Sequence, residues 1–335
     1  MAHEAGSTTT IVSGKPVLAV FGEVQTCLLP SREVLDIPAT VELLRTVKLG
    51  SAPTSRERPV PLVMSPSRLE GVDCHLAQCR PDRTSGKRIR GIGTVSSRSV
   101  VIGGRILQAS SQTEVVRGTG SDRRPWSHYL SKPGTIETIS GAPSGRALAD
   151  GYLHSPAGER PELASICQRM ANLTRVNPQL DQEIPFRGAA TTRLRWAAEV
   201  AAPSGDSLPF SFRLDNDTVR TLRITVLHGD IAEIRRFCED LAVHDWLLTT
   251  ISRVAGASGG FGARPGAMAT DLLPVLDELV PLWMPGTHTV PGLDRIWSDL
   301  EADPGFTRQW TARVGQLRDR MAGATLRASQ QVKVH

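Results

Sequence analysis

The chain has 335 residues, 40% of them hydrophobic and 22% charged, with five cysteines and 39 basic against 34 acidic residues. That length suits about two domains or one large one. The apolar content excludes wholesale disorder, and the cysteines are too few for a disulfide-built scaffold. No apolar run reaches the length of a membrane-spanning helix, and the N-terminus has no charged start followed by an apolar stretch, so the reading is a cytoplasmic chain with reduced thiols.

In chain order, Val17–Phe21 and Glu23–Leu29 read as one long strand with Gly22 a candidate bulge, stopped by Pro30. A short helix is expected over 38–47 and a strand over 60–64, and residues 80–90 read as loop. From Ile89 to Arg117 four short β pieces are expected: Ile92–Val95, Ser99–Ile102, Arg105–Gln108 and Thr113–Val116. Gly103-Gly104 is a hairpin signal between two of them. Residues 118–161 are dense in Gly, Pro and Ser and read as inter-domain connection, with Thr135–Ile139 the one strand.

The second half changes character. Pro161–Leu173 is an amphipathic helix, 193–200 alternates as a half-buried strand, and Phe210–Leu214 with Val219–Leu227 forms a hairpin. Asp230 and Glu233 form a capping-box pattern for a helix to about Val254, with Ile231, Ile234, Cys238, Leu241, Leu248 and Ile251 as its apolar stripe. Less regular helical signals cover 271–284 and Asp294–Leu300. Asp303-Pro304 then reads as cap and first residue of a helix to about Ala322. The expected fold is α+β: a β-rich part over 15–140, then over 160–325 a small antiparallel sheet covered by helices.

Four stretches, Gly22–Leu29, Gly71–Cys74, Arg90–Val95 with Gly104–Gln108, and Phe237–Leu248, resemble an uncharacterised family of streptomycete-type actinobacterial proteins. In that family the gene lies in a small cassette beside a P-loop protein and a methyltransferase. The resemblance covers most of residues 16–254. It implies a component of a multi-protein system and carries over no catalytic residues.

The densest reactive cluster is Asp73-Cys74-His75 with Cys79. Two thiolates and an imidazole are zinc ligand types, but a fourth ligand must come from Cys27 or His128, and no second closely spaced Cys pair exists. Neither a metal nor a cofactor is therefore expected. A nucleophilic Cys27 or Cys74 needs a remote histidine, because adjacent residues on a strand face opposite sides. His244, next to Asp245, follows Asp240 by four residues, a helical spacing that can orient a base and more often makes a surface ion pair. No P-loop, dinucleotide-binding glycine pattern, nucleophile elbow or zinc-protease motif is present.

Residues 80–124 hold ten bases against three acids. Arg83, Lys87, Arg88, Arg90, Arg123 and Arg124 are the candidate contacts to an anionic ligand or a partner. The leading reading is a non-catalytic interaction or regulatory subunit with a protein partner. Its alternatives are an unfamiliar enzyme with a thiol in an inter-domain cleft, and a nucleic-acid binder that uses the basic block and nearby Trp126.

Overall fold

A computed structural model describes residues 16–47, 51–78, 88–139, 141, 143–155, 161–201, 209–227, 231–257, 272–286 and 293–332. The strands are β1 (Val17–Leu28), β2 (Thr54–Arg56), β3 (Leu62–Met64), β4 (Arg68–Ala77), β5 (Arg88–Ile102), β6 (Ile106–Arg117), β7 (Thr135–Ile139), β8 (Thr192–Ala201), β9 (Phe210–Leu214) and β10 (Val219–Leu227). The helices are α1 (Ile37–Arg45), α2 (Trp126–Leu130), α3 (Gly145–His154), α4 (Leu163–Arg175), α5 (Ile231–Ala257), α6 (Asp294–Ala302) and α7 (Phe306–Val332). A π turn over Val275–Leu279 and a 3-10 turn over Val280–Leu282 lie between α5 and α6. The protein is α+β, with a strand-rich N-terminal half and a helical C-terminal part.

All ten strands belong to one sheet, ordered β2-β3-β5-β7-β6-β1-β8-β10-β9, with β4 also on β5. The sheet does not divide between 140 and 160. Instead β1 lies antiparallel to β6 on one side and to β8 on the other, so strands of both halves share its backbone hydrogen bonds. The C-terminal strands are not a small antiparallel sheet of their own, because β10 runs parallel to β8 and antiparallel to β9. The β9/β10 hairpin itself is as the sequence suggests.

Side-chain alternation along β1 sorts its neighbours onto two faces. Val20, Val24 and Leu28 meet α5, α6 and α7, whereas Ala19, Phe21, Cys27 and Leu29 meet α1, α3 and α4. Each face carries two apolar clusters. On the α5 face, a belt of polar residues on β1, β5 and β6 (Thr26, Ser96, Arg98, Gln108 and Ser110) runs beside α5. On the opposite face Glu23 is fully buried with Arg193, Arg195 and Tyr152 around it.

Several sequence expectations change for physical reasons. Gly22 is not a bulge. The register shift falls between Val17 and Ala19, and Gly22 is small because the Trp196 ring lies over it. The four short pieces of 89–117 are two long strands joined at Gly103-Gly104, both of which have positive φ. β5 and β6 pair from Ile102–Ile106 to Ser96–Gln112 and then part. β7 fills the gap, antiparallel to β5 and parallel to β6. Gly93 permits that entry, since a Cβ there would lie 2.0 Å from the Thr135 carbonyl oxygen.

Residues 88–90 belong to β5, and residues 79–87 lie outside the described residues. Within the stretch read as connection, α2 and α3 also form, the latter capped by Ser144. Cys74 sits inside β4, a strand with no strong apolar alternation to announce it. Asp230 lies outside the described residues. The last helix begins at Phe306, after Gly305 in a left-handed conformation, and runs on to Val332.

Candidate functional site

α5 is covered nearly all round. The sheet lies beneath it, and α6, α7 and the 283–286 segment pack against its other sides. Phe237, Ala242, Val243 and Trp246, off the expected stripe, are therefore buried together with Arg235, Glu239, Asp240, His244 and Asp245. Burying charge is costly unless each group is paired, and the pairing here is dense. Glu239 Oε1 accepts from Arg98 Nε (2.9 Å) and from Ser110 Oγ, and its other oxygen accepts from Arg98 Nη2. Arg235 approaches Glu239 at 3.3 Å and donates to Ser110 O and to the Ser96 and Ser110 hydroxyls. Burial alone would raise the Glu239 carboxyl, but Arg98, Arg235 and Ser110 outweigh it and hold the pKa at about 2. Burial and the neighbouring Arg98 pull Arg235 down to about 10, still charged at neutral pH.

Asp240 and His244 are not the surface ion pair that helical spacing suggests. The His244 ring nitrogen Nδ1 lies 2.7 Å from the Asp240 carbonyl oxygen and 3.4 Å from its Oδ1, while Nε2 accepts from the Met284 amide at 3.1 Å. A ring that accepts at Nε2 and faces a carbonyl at Nδ1 is neutral and protonated on Nδ1. Asp240 Oδ2 accepts from the Gly286 amide. The pair therefore pins the 283–286 segment to α5, and Trp283 and Trp297 stand edge-on to the His244 ring. Asp245 faces away from this group, paired with Arg220 at 2.6 Å. Burial raises its carboxyl to about 6 despite the guanidinium.

Between this polar belt and the ends of β3 and β5 lies a pocket of ≈ 90 Å³, lined by Arg98, Gln108, Arg236, Glu239, Asp240 and His244 and by apolar side chains that include Leu62, Val100 and Val243. Its convergence of apolar walls and buried polar groups marks it as the candidate site. Sequence reasoning paired Asp240 with His244 and missed the rest. Arg98 and Gln108 lie on the two arms of the β5/β6 hairpin, and Glu239 reaches them from α5, 131 residues beyond Gln108, by packing of the helix on the sheet.

The other sequence candidates are dispersed. Cys27 packs with the apolar cluster around α1 and Cys74 against that around α3. Burial raises their thiols to about 11 and about 12, and Cys167 and Cys238 rise for the same reason. No hydrogen bond among the described residues joins Cys27 or Cys74 to a histidine. No three His, Cys, Asp or Glu side chains among them converge as metal ligands, and Cys79 lies outside them. His128 is engaged with Glu137 and Lys132. These thiols are expected to stay unreactive toward Ellman's reagent at pH 8 in the native protein and to react on unfolding, because the thiolate is the nucleophile. Peptide mapping that finds Cys74 labelled before unfolding overturns this.

The basic block is not one surface. Arg98 is held by Glu239, and Arg105 is fully buried, paired with Glu278 and donating to the carbonyls of Ser31 and Arg32. Arg83 and Lys87 lie outside the described residues, and Arg88 is exposed at the start of β5. Arg90 forms a two-pronged ion pair with Asp73, whose pKa falls chiefly because of that hydrogen bond, with Arg123 and His75 adding to it. Arg123 stacks 5.3 Å over the Trp126 ring, and the Arg124 backbone amide donates to Tyr129 Oη.

Comparison with family models, with curated proteins and with solved structures gives no match. Among the described residues no helix is long and apolar enough to cross a membrane.

Proposed function

We propose that the chain is a non-catalytic interaction or regulatory subunit that docks a partner protein along β4 and α2. The observation that carries this reading is the state of β4. Its ten residues hydrogen-bond to β5 along one edge, and no other described strand takes the opposite edge. An unpaired strand edge is a template for an added strand. Leu69 and Trp126 are exposed beside it, and Trp126 lies over Gly71, where a Cβ would come within 3.0 Å of the ring. Arg90 and Arg123 flank the same surface, so the fitting partner is an extended segment with an apolar residue and an acidic one.

The thiols support a non-catalytic role, since burial pushes them away from the thiolate form, and so does the binding of Glu239 within a closed set of ion pairs. The resemblance to a cassette-encoded family points the same way.

The test is co-purification from the native source under cross-linking, comparing the wild type with a Trp126→Ala/Arg123→Glu variant. A stoichiometric partner that is lost in the variant, with the melting temperature unchanged, supports the reading. A chain that emerges alone at its own mass of 36.2 kDa sinks it.

A further inference from the structure

We propose that the groove between the β9/β10 hairpin, α5 and the start of α7 binds a neutral primary carboxamide carried on an apolar body. Its walls, its hydrogen-bonding groups and its charge balance each define one part of that ligand.

The walls define the body. Phe212 and Leu214 of β9, Leu248 of α5 and Phe306 of α7 line the groove, and Leu214 is 63% exposed. The Phe212 and Phe306 rings meet edge to face at 5.9 Å. The space is ≈ 710 Å³ and open to solvent, so hydrocarbon that enters it covers apolar surface the fold leaves bare.

The hydrogen-bonding groups define the amide. Asp245 and Thr249 both line the groove and, four residues apart, are neighbours on one face of α5. Arg220 of β10 joins them. Its Nε donates to Asp245 Oδ2 at 2.6 Å, its Nη2 to Thr249 Oγ1 at 2.8 Å and its Nη1 to the Asn216 carbonyl oxygen. Asp245 Oδ1 is left without a donor among the described residues, on a side chain only 10% exposed. The Thr249 hydroxyl hydrogen goes to no described acceptor. An acceptor and a donor one helical turn apart match the N–H and C=O of a single amide group. A carboxylate oxygen so far out of water gains from each donor it meets.

The charge balance defines the neutrality. The lining holds two acids, Asp217 and Asp245, and two bases, Arg220 and Arg253. Asp245 is paired with Arg220, and Arg253 donates to the Asp217 carbonyl oxygen. The α7 side adds no charged side chain to the lining. A groove with no net charge favours neither a carboxylate nor an ammonium ion. Protonation of Asp245 would abolish the match. Oδ2 already accepts from Arg220, so an added proton sits on Oδ1 and turns the acceptor into a donor. Burial, opposed by Arg220, raises this carboxyl to about 6. Affinity for the amide should therefore fall as pH drops through that value.

None of the lining belongs to β4 or α2. Failure to bind an amide leaves the co-purification result standing, and loss of the partner leaves amide binding intact.

The experiment titrates the full chain calorimetrically with benzamide, acetophenone and benzoate, and follows the backbone amide resonances by NMR. Benzamide should bind in the millimolar range, as its few atoms allow. It should bind about tenfold better than acetophenone, which keeps the carbonyl and replaces the NH2 by a methyl group, the lower range for one hydrogen bond to a charged group. Benzoate should bind weakly or not at all. Between pH 7.5 and pH 5 the benzamide affinity should fall several-fold while that of acetophenone does not. Shifts should centre on Leu214, Thr249 and Ser252, all in the lining. Leu214→Ala, at an exposed position, should weaken benzamide and acetophenone alike with the melting temperature unchanged. Thr249→Val should weaken both and leave their ratio in place, since both carry the carbonyl. Should that variant fail to fold, the ranking of the three probes and the pH dependence on the wild type decide. No saturable binding of benzamide, equal binding of acetophenone or benzoate, an affinity for benzamide that holds or rises at pH 5, or shifts elsewhere would overturn the proposal.

Discussion

Glu239→Gln is expected to lower the unfolding free energy by about 3–5 kcal/mol, the usual cost of removing one member of a buried charge cluster. The argument rests on what remains. Arg98 and Arg235 both face this carboxylate and lie close enough for each to disfavour the other's charge. With a neutral amide between them, two guanidinium groups repel in a largely buried site, and one amide hydrogen points at a donor. Chemical denaturation measures the cost. A double variant, Arg98→Met/Glu239→Met, should recover part of the loss, because it removes the charge along with its partner. A loss below about 1 kcal/mol for the single variant would mean that the cluster is solvated and behaves as a surface pair.

The same carboxylate shapes the acid limb of stability. Its pKa is depressed from 4.5 to about 2 in the folded chain. A depressed carboxylate contributes stability that is complete above its unfolded pKa and is lost as pH falls toward the folded value. Stability should therefore decline from about pH 4.5 to pH 2, by about 3 kcal/mol for this group, and the decline should be shallower in Glu239→Gln.

Gly22→Ala is the second large effect. A Cβ at this position would stand 2.1 Å from two carbons of the Trp196 ring, which is itself fully buried between β1 and α5. Neither the ring nor the strand can move freely, since Gly22 pairs with Trp196 on β8 and with Gln112 on β6. Overpacking of this kind costs about 1–3 kcal/mol and occasionally more. The upper end is expected here, read as a fall in melting temperature. Trp196→Leu alone should also destabilise, by opening a void. Combined with Gly22→Ala it should lose less than the two losses added together, because the new methyl group occupies space the ring vacates. Strict additivity would mean that the ring does not set the identity of residue 22.

Local pattern made much of the fold legible. β1, the β9/β10 hairpin, α4, α5 and α6 announce themselves through apolar runs and periodicity, and Gly103-Gly104 marks its turn. What stayed hidden depends on distant partners. β4 alternates polar and small residues and is a strand because β5 pairs with it over ten positions. The junction of the two halves rests on the β1–β8 register, for which neither strand carries a local sign. α3 escaped notice because its glycines fit tight contacts: a Cβ at Gly151 would meet the Ala77 carbonyl at 1.9 Å. The candidate pocket was less legible than the fold. Asp240 and His244 could be placed on one helix turn, but their burial follows from the layers packed over α5. The basic block misled for the same reason, since linear charge density does not separate Arg105 inside the molecule from Arg123 outside it.

The position of β1 has a consequence for how this polypeptide can be divided. Severing the chain between α3 and α4 would leave one fragment ending its sheet at a bare β1 and another whose β8 has lost its template. Each fragment would hold half of a continuous ladder and little of the shared interior. The break would turn folding into a bimolecular reaction in which either piece acquires its shape by mating with the other, with a yield that rises with concentration.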